Sequence, residues 1–525
     1  MSSSARTDRP PWAPAGPAGS AYDTDVLVIG SGPAGASMAL ALATYGVRVQ
    51  MITKYGQLAD TPRAHITNQR AVEVFRDLGI EDRLMREATP WPLMSNTTYC
   101  TSLAGQELGR VPSWGTDPRR HADYVLASPC AMADAPQTIV EPILVSQAQV
   151  RGAKIRFDTE YLGHVQDEDG VTTTVRDRLT QGEHTVRSRF VVGADGARSK
   201  VAEDLLLPFE GPGAVAGALS IVFEADLSRF VAHRPSVLYW MLQPGADDNG
   251  VGLGVLRMIR PWNEWMLIWG YDATSGPPEL TDEFIRDLAA KLVGTDDFEL
   301  RLSSRAPWTI NHQFATTLAK GRVFCAGDAI HRHPPNNGLG SNTSLQDSYN
   351  LAWKLAYVVR GLAGPVLLGS YDTERAPVAR QIVERANKSI RDTGRILEAL
   401  GLTDTSDVAR LHERLAALRA AGSDGEKTRH AMREAIASKS YEFNAHGVEH
   451  NHRYTSTAVI PDGTPMPEFT RDPELYAQPT TWPGAKLPHA WVTRDGAQVS
   501  TLDLGGKGRF TIYTGIGGDG WAQAA

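Results

Sequence analysis

Residues 25–52 read DVLVIGSGPAGASMALALATYGVRVQMI and carry the most informative pattern near the start of this chain. It opens with an apolar run typical of a buried parallel strand, Asp25 to Ile29, which a glycine-rich turn follows. The pattern then predicts a helix from Pro33 to Tyr45, ended by Gly46, and a second strand from Val47 to Ile52. This order of elements predicts a β-α-β unit.

The turn carries three glycines at the spacing of a dinucleotide-binding loop. Gly30 permits the tight turn, Gly32 lets the backbone approach a pyrophosphate, and Gly35 lets the helix pack on the strand. The phosphates would lie at the positive end of the helix. The glycine pattern alone is weak evidence, but its position between strand and helix strengthens it. The acidic residue expected after the second strand is absent, since Thr53 and Lys54 stand there.

Composition excludes several classes of protein. The chain has 525 residues, is 42% hydrophobic and carries a net charge of −7, which favours a folded chain of several domains without a nucleic-acid-binding face. Three scattered cysteines predict neither disulfides nor a zinc cluster and are typical of a reducing cytoplasm. No apolar run reaches the roughly 18–20 residues of a membrane span, and no secretion signal is evident. Residues 1–22 are predicted to be a disordered tail.

Two further motifs follow at strand ends. They are GADGARS at Gly193–Ser199 and GDAIHRHPPNNGLGSN at Gly327–Asn342. Together with the first glycine loop, they resemble the motifs of the single-component FAD-dependent aromatic hydroxylases. The chain is most similar to the bacterial phenol and 2,4-dichlorophenol hydroxylases, through Thr61–Arg70, Pro335–Thr343 and Asn444–Glu449. In this family the first glycine of the late loop comes earlier, where this chain has Asn337.

The resemblance implies an α/β fold, α+β overall, built from several domains. A Rossmann-like FAD-binding domain is expected from 23–92, 118–205 and 318–365, and an inserted sheet-containing substrate domain from 93–117 and 206–317. A helical segment, 366–455, and a truncated thioredoxin-like extension, 456–525, would follow. The extension has no CxxC pair, so it has no dithiol redox centre.

The resemblance also implies which residues bind the cofactors, namely tightly bound FAD, transient NADPH (or NADH) and O2. Asp328 would bind the ribitol hydroxyls, and the loop that starts the following helix, expected from Thr343, would stabilise the reduced flavin. Alternative roles are a helix cap for Asp328, a turn for Asp195 and Gly196, and a surface ion pair for Arg63. The expected cofactor-binding residues are Gly30, Gly32, Gly35, Thr53, Arg63, Gln137, Asp195, Gly196, Asp328, Gly338, Gly340 and Asn342.

Two residues are candidates for the chemistry itself. Pro335 would border the substrate beside the flavin, or form only a rigid turn. His65 aligns with an acidic active-site residue of the phenol hydroxylases and would be the base, or hydrogen-bond acceptor, for a phenol. A packing or FAD-contacting histidine is the alternative. His312, His331 and His333 lack the spacing of a metal site, so none is predicted.

The resemblance implies hydroxylation of a phenol, ortho to its hydroxyl, through a hydroperoxide at the flavin C4a atom. A polycyclic polyketide intermediate is an alternative substrate, and a halogenase or a non-catalytic FAD-binding protein are alternative functions. The expected partners are a small aromatic substrate and a second copy of the chain, with neither nucleic acid nor membrane. The expected pocket lining comes from one aromatic-rich region, with Tyr239, Trp240, Met241, Trp262, Trp265 and Trp269.

Overall fold

The computed structural model describes residues 21–247, 250–274, 276–402 and 407–524. The predicted disordered tail falls outside these ranges except for residues 21 and 22. The strands are β1 Thr24–Ile29, β2 Val49–Ile52, β3 Ile66–Thr67, β4 Asn96–Cys100, β5 Glu107–Pro112, β6 Ala133–Asp134, β7 Lys154–Arg156, β8 Thr159–Gln166, β9 Val171–Asp177, β10 Glu183–Gly193, β11 Phe209–Glu210, β12 Ala216–Glu224, β13 Leu238–Asp247, β14 Gly250–Arg260, β15 Glu264–Tyr271, β16 Arg301–Ile310, β17 Gln313–Ala315, β18 Ala319–Lys320, β19 Val323–Cys325, β20 His331–Arg332, β21 Trp491–Arg494 and β22 Ala497–Ser500. The α-helices are α1 Pro33–Thr44, α2 Gln69–Asp77, α3 Glu81–Glu87, α4 Pro118–Ala127, α5 Gln137–Val150, α6 Lys200–Asp204, α7 Ser228–Val231, α8 Asp282–Val293, α9 Leu339–Val359, α10 Ser370–Ala399, α11 Val408–Arg419, α12 Ser423–Ala437, α13 Ser440–Phe443, α14 His446–His450 and α15 Asp519–Ala524.

The first large sheet contains the predicted β-α-β unit. Its strand order is β18-β19-β10-β1-β2-β7, and β1 pairs in parallel with both β2 and β10. Helices α1, α5 and α9 pack together on it, and the apolar strand β1 is buried throughout except for a half-buried Asp25. A parallel sheet covered in this way buries both faces, which explains why the strand sequence is continuously apolar. The carboxyl ends of β1, β10 and β19 therefore meet at one edge.

The second large sheet has the order β16-β12-β15-β14-β13-β4-β5 and is antiparallel except where β13 runs parallel to β4. Successive side chains on its strands point to opposite faces. One face packs under α8 in a core that includes Tyr239, Met241, Trp265 and Trp269. These four predicted pocket residues therefore lie in the core beneath α8.

The rest of the chain wraps the two sheets. Helix α10 begins at Ser370, within the expected helical segment, and continues through Pro377. The segment after α14 has few regular elements and is held to α2 by ion pairs, Lys486 to Glu73 and Arg76 to Asp503. No helix in the described ranges is both long and apolar enough to cross a bilayer.

The mixed α/β fold class is confirmed. The domain boundaries stay a prediction, although the strands of the two sheets do come from interleaved stretches of the chain. The described part of the extension contributes the β21–β22 hairpin and α15.

Candidate functional site

The glycine loop after β1 has the geometry of a phosphate cradle. A Cβ on Gly30, whose φ is +108°, would lie 2.1 Å from the Ala194 carbonyl oxygen, and one on Gly35 would lie 1.9 Å from the Gly30 oxygen. Gly32 differs, because the nearest atom to its Cβ would be Glu141 Oε1 at 3.9 Å. The fold itself therefore requires Gly30 and Gly35, whereas Gly32 leaves open space at the N-terminus of α1, where an anion is stabilised.

Arg63 and Gln137 lie beside this loop. The backbone N–H of Gln137 donates to the Arg63 carbonyl at 2.9 Å. The Gln137 side chain donates to the Glu141 carboxylate, which also accepts from the Ala59 N–H at 2.8 Å. Burial raises the pKa of Glu141, and the hydrogen bonds and the positive charge of Arg63 oppose that rise. The Arg63 side chain is exposed. Glu141 was not among the predicted residues, since a glutamate within an apolar helix gives no motif.

Asp328 follows β19 at the same sheet edge. Its residue is exposed, and its carboxylate accepts no hydrogen bond from the described part of the chain. Desolvation by the surrounding protein raises its pKa, while the charges of His331, Arg63 and Arg332 lower it. Arg63 is therefore close enough to Asp328 for its charge to act on this carboxylate. A free acceptor at a strand end, with a guanidinium near enough to act on it, fits the hydroxyl-rich and phosphate-bearing parts of a dinucleotide.

The side chains of two other predicted cofactor-binding residues make hydrogen bonds within the protein. The Asp195 carboxylate accepts from the Ser199 hydroxyl at 2.5 Å and from the Val201 N–H at 3.2 Å, at the start of α6. Thr53 is buried, and its hydroxyl lies 3.5 Å from the Tyr55 N–H. Gly196 has a φ of +83° in the turn beside Asp195. Any cofactor contact by these residues stays a prediction.

The late loop forms the N-terminus of α9. This helix begins at Leu339, four residues before the predicted Thr343, so its free N–H groups lie in the loop itself. Gly338 caps it with a φ of +62°, and Asn337 holds a φ of +68°. An asparagine thus adopts the left-handed conformation that favours glycine, which accounts for the departure from the family pattern. Pro335 precedes them and is exposed.

The Asn342 side chain ties this loop to the segment that contains His65. It donates to the Ile66 carbonyl at 2.7 Å and accepts from the Asn68 N–H at 2.9 Å. A Cβ on Gly338 would lie 3.2 Å from the Ile66 Cβ, and one on Gly340 would lie 3.4 Å from a nitrogen of His333. The loop and residues 65–68 therefore form one unit, and the Asn342 side chain is part of its internal bonding.

His65 belongs to a buried polar group that the sequence motifs did not reveal. Its Nδ1 lies 3.2 Å from Oδ2 of Asp134, which is fully buried. Arg257, on β14, is 3% exposed and donates from Nη1 to the Pro62 carbonyl. Burial lowers the pKa of His65, and the charge of Arg257 lowers it further, while Asp134 opposes both. Burial also lowers the pKa of Arg257 to about 10.

Arg257 identifies the face of the second sheet that looks toward this unit. Val255 is two residues away on the same face and pairs with Trp240 on β13 and Ile268 on β15. Trp240 is partly buried and packs in the cluster that contains Ile66. Among the predicted aromatic lining residues, Trp240 therefore lies on the sheet face that is directed toward the site. In the described ranges, no group of three or more His, Cys, Asp or Glu residues could hold a metal ion.

Comparison with known proteins agrees with this geometry. The FAD binding domain family matches residues 23–386. The 2,4-dichlorophenol 6-monooxygenase of Delftia acidovorans is 54% identical over 503 residues, covering 96% of this chain and 86% of that protein. The phenol 2-monooxygenase of a Pseudomonas species is 50% identical over 505 residues, covering 96% and 81%. The flavin-dependent monooxygenase PieE, solved with FAD and substrate, is 43% identical with a TM-score of 0.91, covering 96% and 86%.

The open cradle at Gly32, the unpartnered acceptor of Asp328 and the helix N-terminus at Gly338 fit an FAD, and the family match covers all three. The chain therefore belongs to the FAD-binding family and is an FAD-dependent aromatic monooxygenase that uses NAD(P)H and O2.

Proposed function

We propose that this monooxygenase hydroxylates a simple phenol ortho to its hydroxyl group, with NADPH as the electron donor. The observation that carries the proposal is the free nitrogen of His65. Its Nε2 makes no hydrogen bond to a described residue and is not among the enclosed polar atoms, and the histidine adjoins the unit that holds the Gly338 loop. Relatives named for phenol and 2,4-dichlorophenol, at 50% and 54% identity, support the same substrate class.

Each residue of the site would have a separate role in binding or catalysis. Bound FAD, once reduced by NADPH, supplies an electrophilic oxygen atom from O2. Arg63 and the open loop at Gly32 would bind the pyrophosphate, and Asp328 would accept from the ribitol hydroxyls. The N-terminus of α9 would stabilise negative charge on the flavin ring. His65 Nε2 would accept the phenol proton, because the ring carbon ortho to a phenolate is the better nucleophile.

Substitution of His65 by glutamine tests the substrate class and the base together. With phenol, we expect kcat to fall by about 10²-fold, the lower end of the range for a general base. In the wild-type enzyme, activity should be lost as the pH falls through the His65 pKa. That loss lies below pH 6.5, since the pKa of this buried histidine is lowered. NADPH oxidation and product mass would be measured with phenol, chlorophenols, resorcinol and a polycyclic phenol.

Several outcomes would contradict the proposal. Full turnover by His65→Gln with an unchanged pH profile would remove the histidine from the chemistry. Product formation from the polycyclic phenol alone would replace the substrate class. An unchanged rate with NADH in place of NADPH would remove the cofactor preference.

Substitution of Asp328 by alanine tests the cofactor contact separately. A hydrogen bond to a charged group contributes about 1.5–3 kcal/mol, so the FAD dissociation constant should rise by roughly 10- to 150-fold. Fluorescence titration of the FAD-free protein measures this constant. Asp287→Asn, at an exposed position on α8, is the control and should bind FAD like the wild type. Equal affinity of Asp328→Ala and wild type would remove Asp328 from the FAD site.

We further propose that the enzyme is a cytoplasmic homodimer. Three buried free cysteines, Cys100, Cys130 and Cys325, are compatible with a reducing compartment, and a twofold dimer is the commonest soluble assembly. Light scattering on the FAD-loaded protein should give twice the 57.0 kDa of the chain, and cell fractionation should recover it with cytoplasmic markers.

A further inference from the structure

The environment of the Asp134 carboxylate has no explanation in packing alone. Asp134 is 0% exposed, and neither of its carboxylate oxygens has a hydrogen-bond partner of good geometry in the described part of the chain. The group closest to it is His65, whose Nδ1 is 3.2 Å from Oδ2 and has no other partner there. An enclosed carboxylate without partners is costly, so a position that keeps one calls for a function.

Backbone pairing places Asp134 beside His65. Strands β3 and β6 pair in antiparallel register, with Ile66 opposite Asp134, and the Ala135 N–H donates to the His65 carbonyl at 2.7 Å. On the other side, the Thr89 N–H donates to the Asp134 carbonyl at 2.8 Å. The backbone of Asp134 is thus bonded from both sides, which fixes the position of its Cα beside His65.

Arg257 supplies the compensating charge. Its Nε and Nη2 are enclosed and have no partner among the described residues, and the charge of Asp134 raises its pKa against the effect of burial. The charged groups that act on His65 are these two, Arg257 from β14 and Asp134 from β6. Asp134 favours the imidazolium form of His65, and the positive charge of Arg257 opposes that effect.

We propose that Asp134 is a positioning residue that holds His65 with its proton on Nδ1, so that Nε2 is the acceptor for the substrate hydroxyl. This inference rests on the proposed function of His65. In the step, the phenol O–H bond breaks, its proton joins Nε2, and the electron pair stays on the phenolate oxygen. The imidazolium formed is then stabilised by the Asp134 carboxylate.

The wild-type enzyme provides the first test, which needs no variant that folds poorly. Nitrogen NMR of the FAD-loaded protein, labelled at histidine and assigned by loss of the signal in His65→Gln, reports which ring nitrogen carries the proton. We expect protonated Nδ1 and unprotonated Nε2 at neutral pH. The reverse arrangement would overturn the proposal.

Substitution of Asp134 by asparagine is the second test. An asparagine here has no charge to stabilise the imidazolium, and its amide can present NH2 as well as oxygen to the ring, so the proton is no longer held on Nδ1 of His65. We expect kcat with phenol to fall at least about tenfold, with KM unchanged. For acidic phenols that are already ionised at the assay pH, the kcat of Asp134→Asn should approach that of the wild-type enzyme. Asp287→Asn is the matched control and should match the wild type with every phenol.

A purely structural role predicts a different pattern, in which the loss is equal for all phenols, and that result would refute the inference. The pKa of His65 in two variants provides an independent test. It should fall in Asp134→Asn and rise in Arg257→Met, since the two charges act in opposite directions; shifts of the same sign would contradict the proposal. If His65→Gln is impaired and Asp134→Asn is not, this inference alone fails. If His65→Gln is unimpaired, the proposed role of His65 as the base fails, and this inference fails with it.

Discussion

Replacing Lys354 with methionine is expected to lower the free energy of unfolding by about 3–5 kcal/mol, the cost of breaking a buried ion pair by removing one partner. Lys354 lies on α9 and is 0% exposed. Its Nζ donates to Glu374 Oε2 at 2.7 Å and to Asn350 Oδ1 at 2.9 Å. The other Glu374 oxygen accepts from Ser456, so the pair joins α9, α10 and the C-terminal segment. Thermal or urea unfolding of the FAD-loaded enzyme measures the loss.

The matched control is an exposed lysine–carboxylate pair, Lys427 with Asp424, whose side chains are 78% and 94% exposed. Lys427→Met should change stability by no more than about 0.5 kcal/mol, as is usual for exposed pairs. The double variant Lys354→Met, Glu374→Gln should be more stable than Lys354→Met, because it removes the uncompensated carboxylate. If Lys354→Met and Lys427→Met behave alike, the buried pair does not stabilise the fold.

The sequence predicted those parts of the fold that depend on local backbone requirements. A strand, three glycines and a helix predict the first β-α-β unit because their order and spacing lie within one short stretch of the sequence. The start of α9 was predicted four residues late for a related reason. Leu339 to Asn342 contains glycine and polar residues, which weaken the helical pattern, whereas in the folded chain Gly338 provides the cap.

The polar group around His65 could not be predicted, because its members share no motif. His65, Asp134 and Arg257 are distant in sequence and meet only when β3 pairs with β6 and β14 packs above Pro62. The aromatic lining was overestimated for a similar reason. Alternation along a strand shows that neighbouring residues face apart, but it does not show which face α8 covers. Trp240 and Tyr239 are adjacent and lie on opposite sides.

Substitutions of Gly30 and Gly32 by alanine should separate folding from cofactor binding. Gly30→Ala is expected to destabilise the FAD-free protein by on the order of 3 kcal/mol, since it combines backbone strain with overpacking. Its Cβ would lie 2.1 Å from the Ala194 oxygen, at a φ of +108°. Gly32→Ala has room and a φ of −63°, so its stability should stay within about 1 kcal/mol of wild type. Its FAD dissociation constant should nevertheless rise roughly tenfold or more, because the methyl group occupies the phosphate cradle.

Gly46→Ala is the control for strain alone. Gly46 follows α1 with a φ of +77°, and no atom lies within 4 Å of its Cβ position. Its cost should be only about 1 kcal/mol, with FAD affinity unchanged. Unfolding of the FAD-free proteins and FAD titration would then distinguish the three glycine variants by their stability and their FAD affinity. Equal FAD affinity of Gly32→Ala and Gly46→Ala would mean that the phosphates do not approach the backbone at Gly32, and the cofactor would have to bind along a different path across the sheet edge.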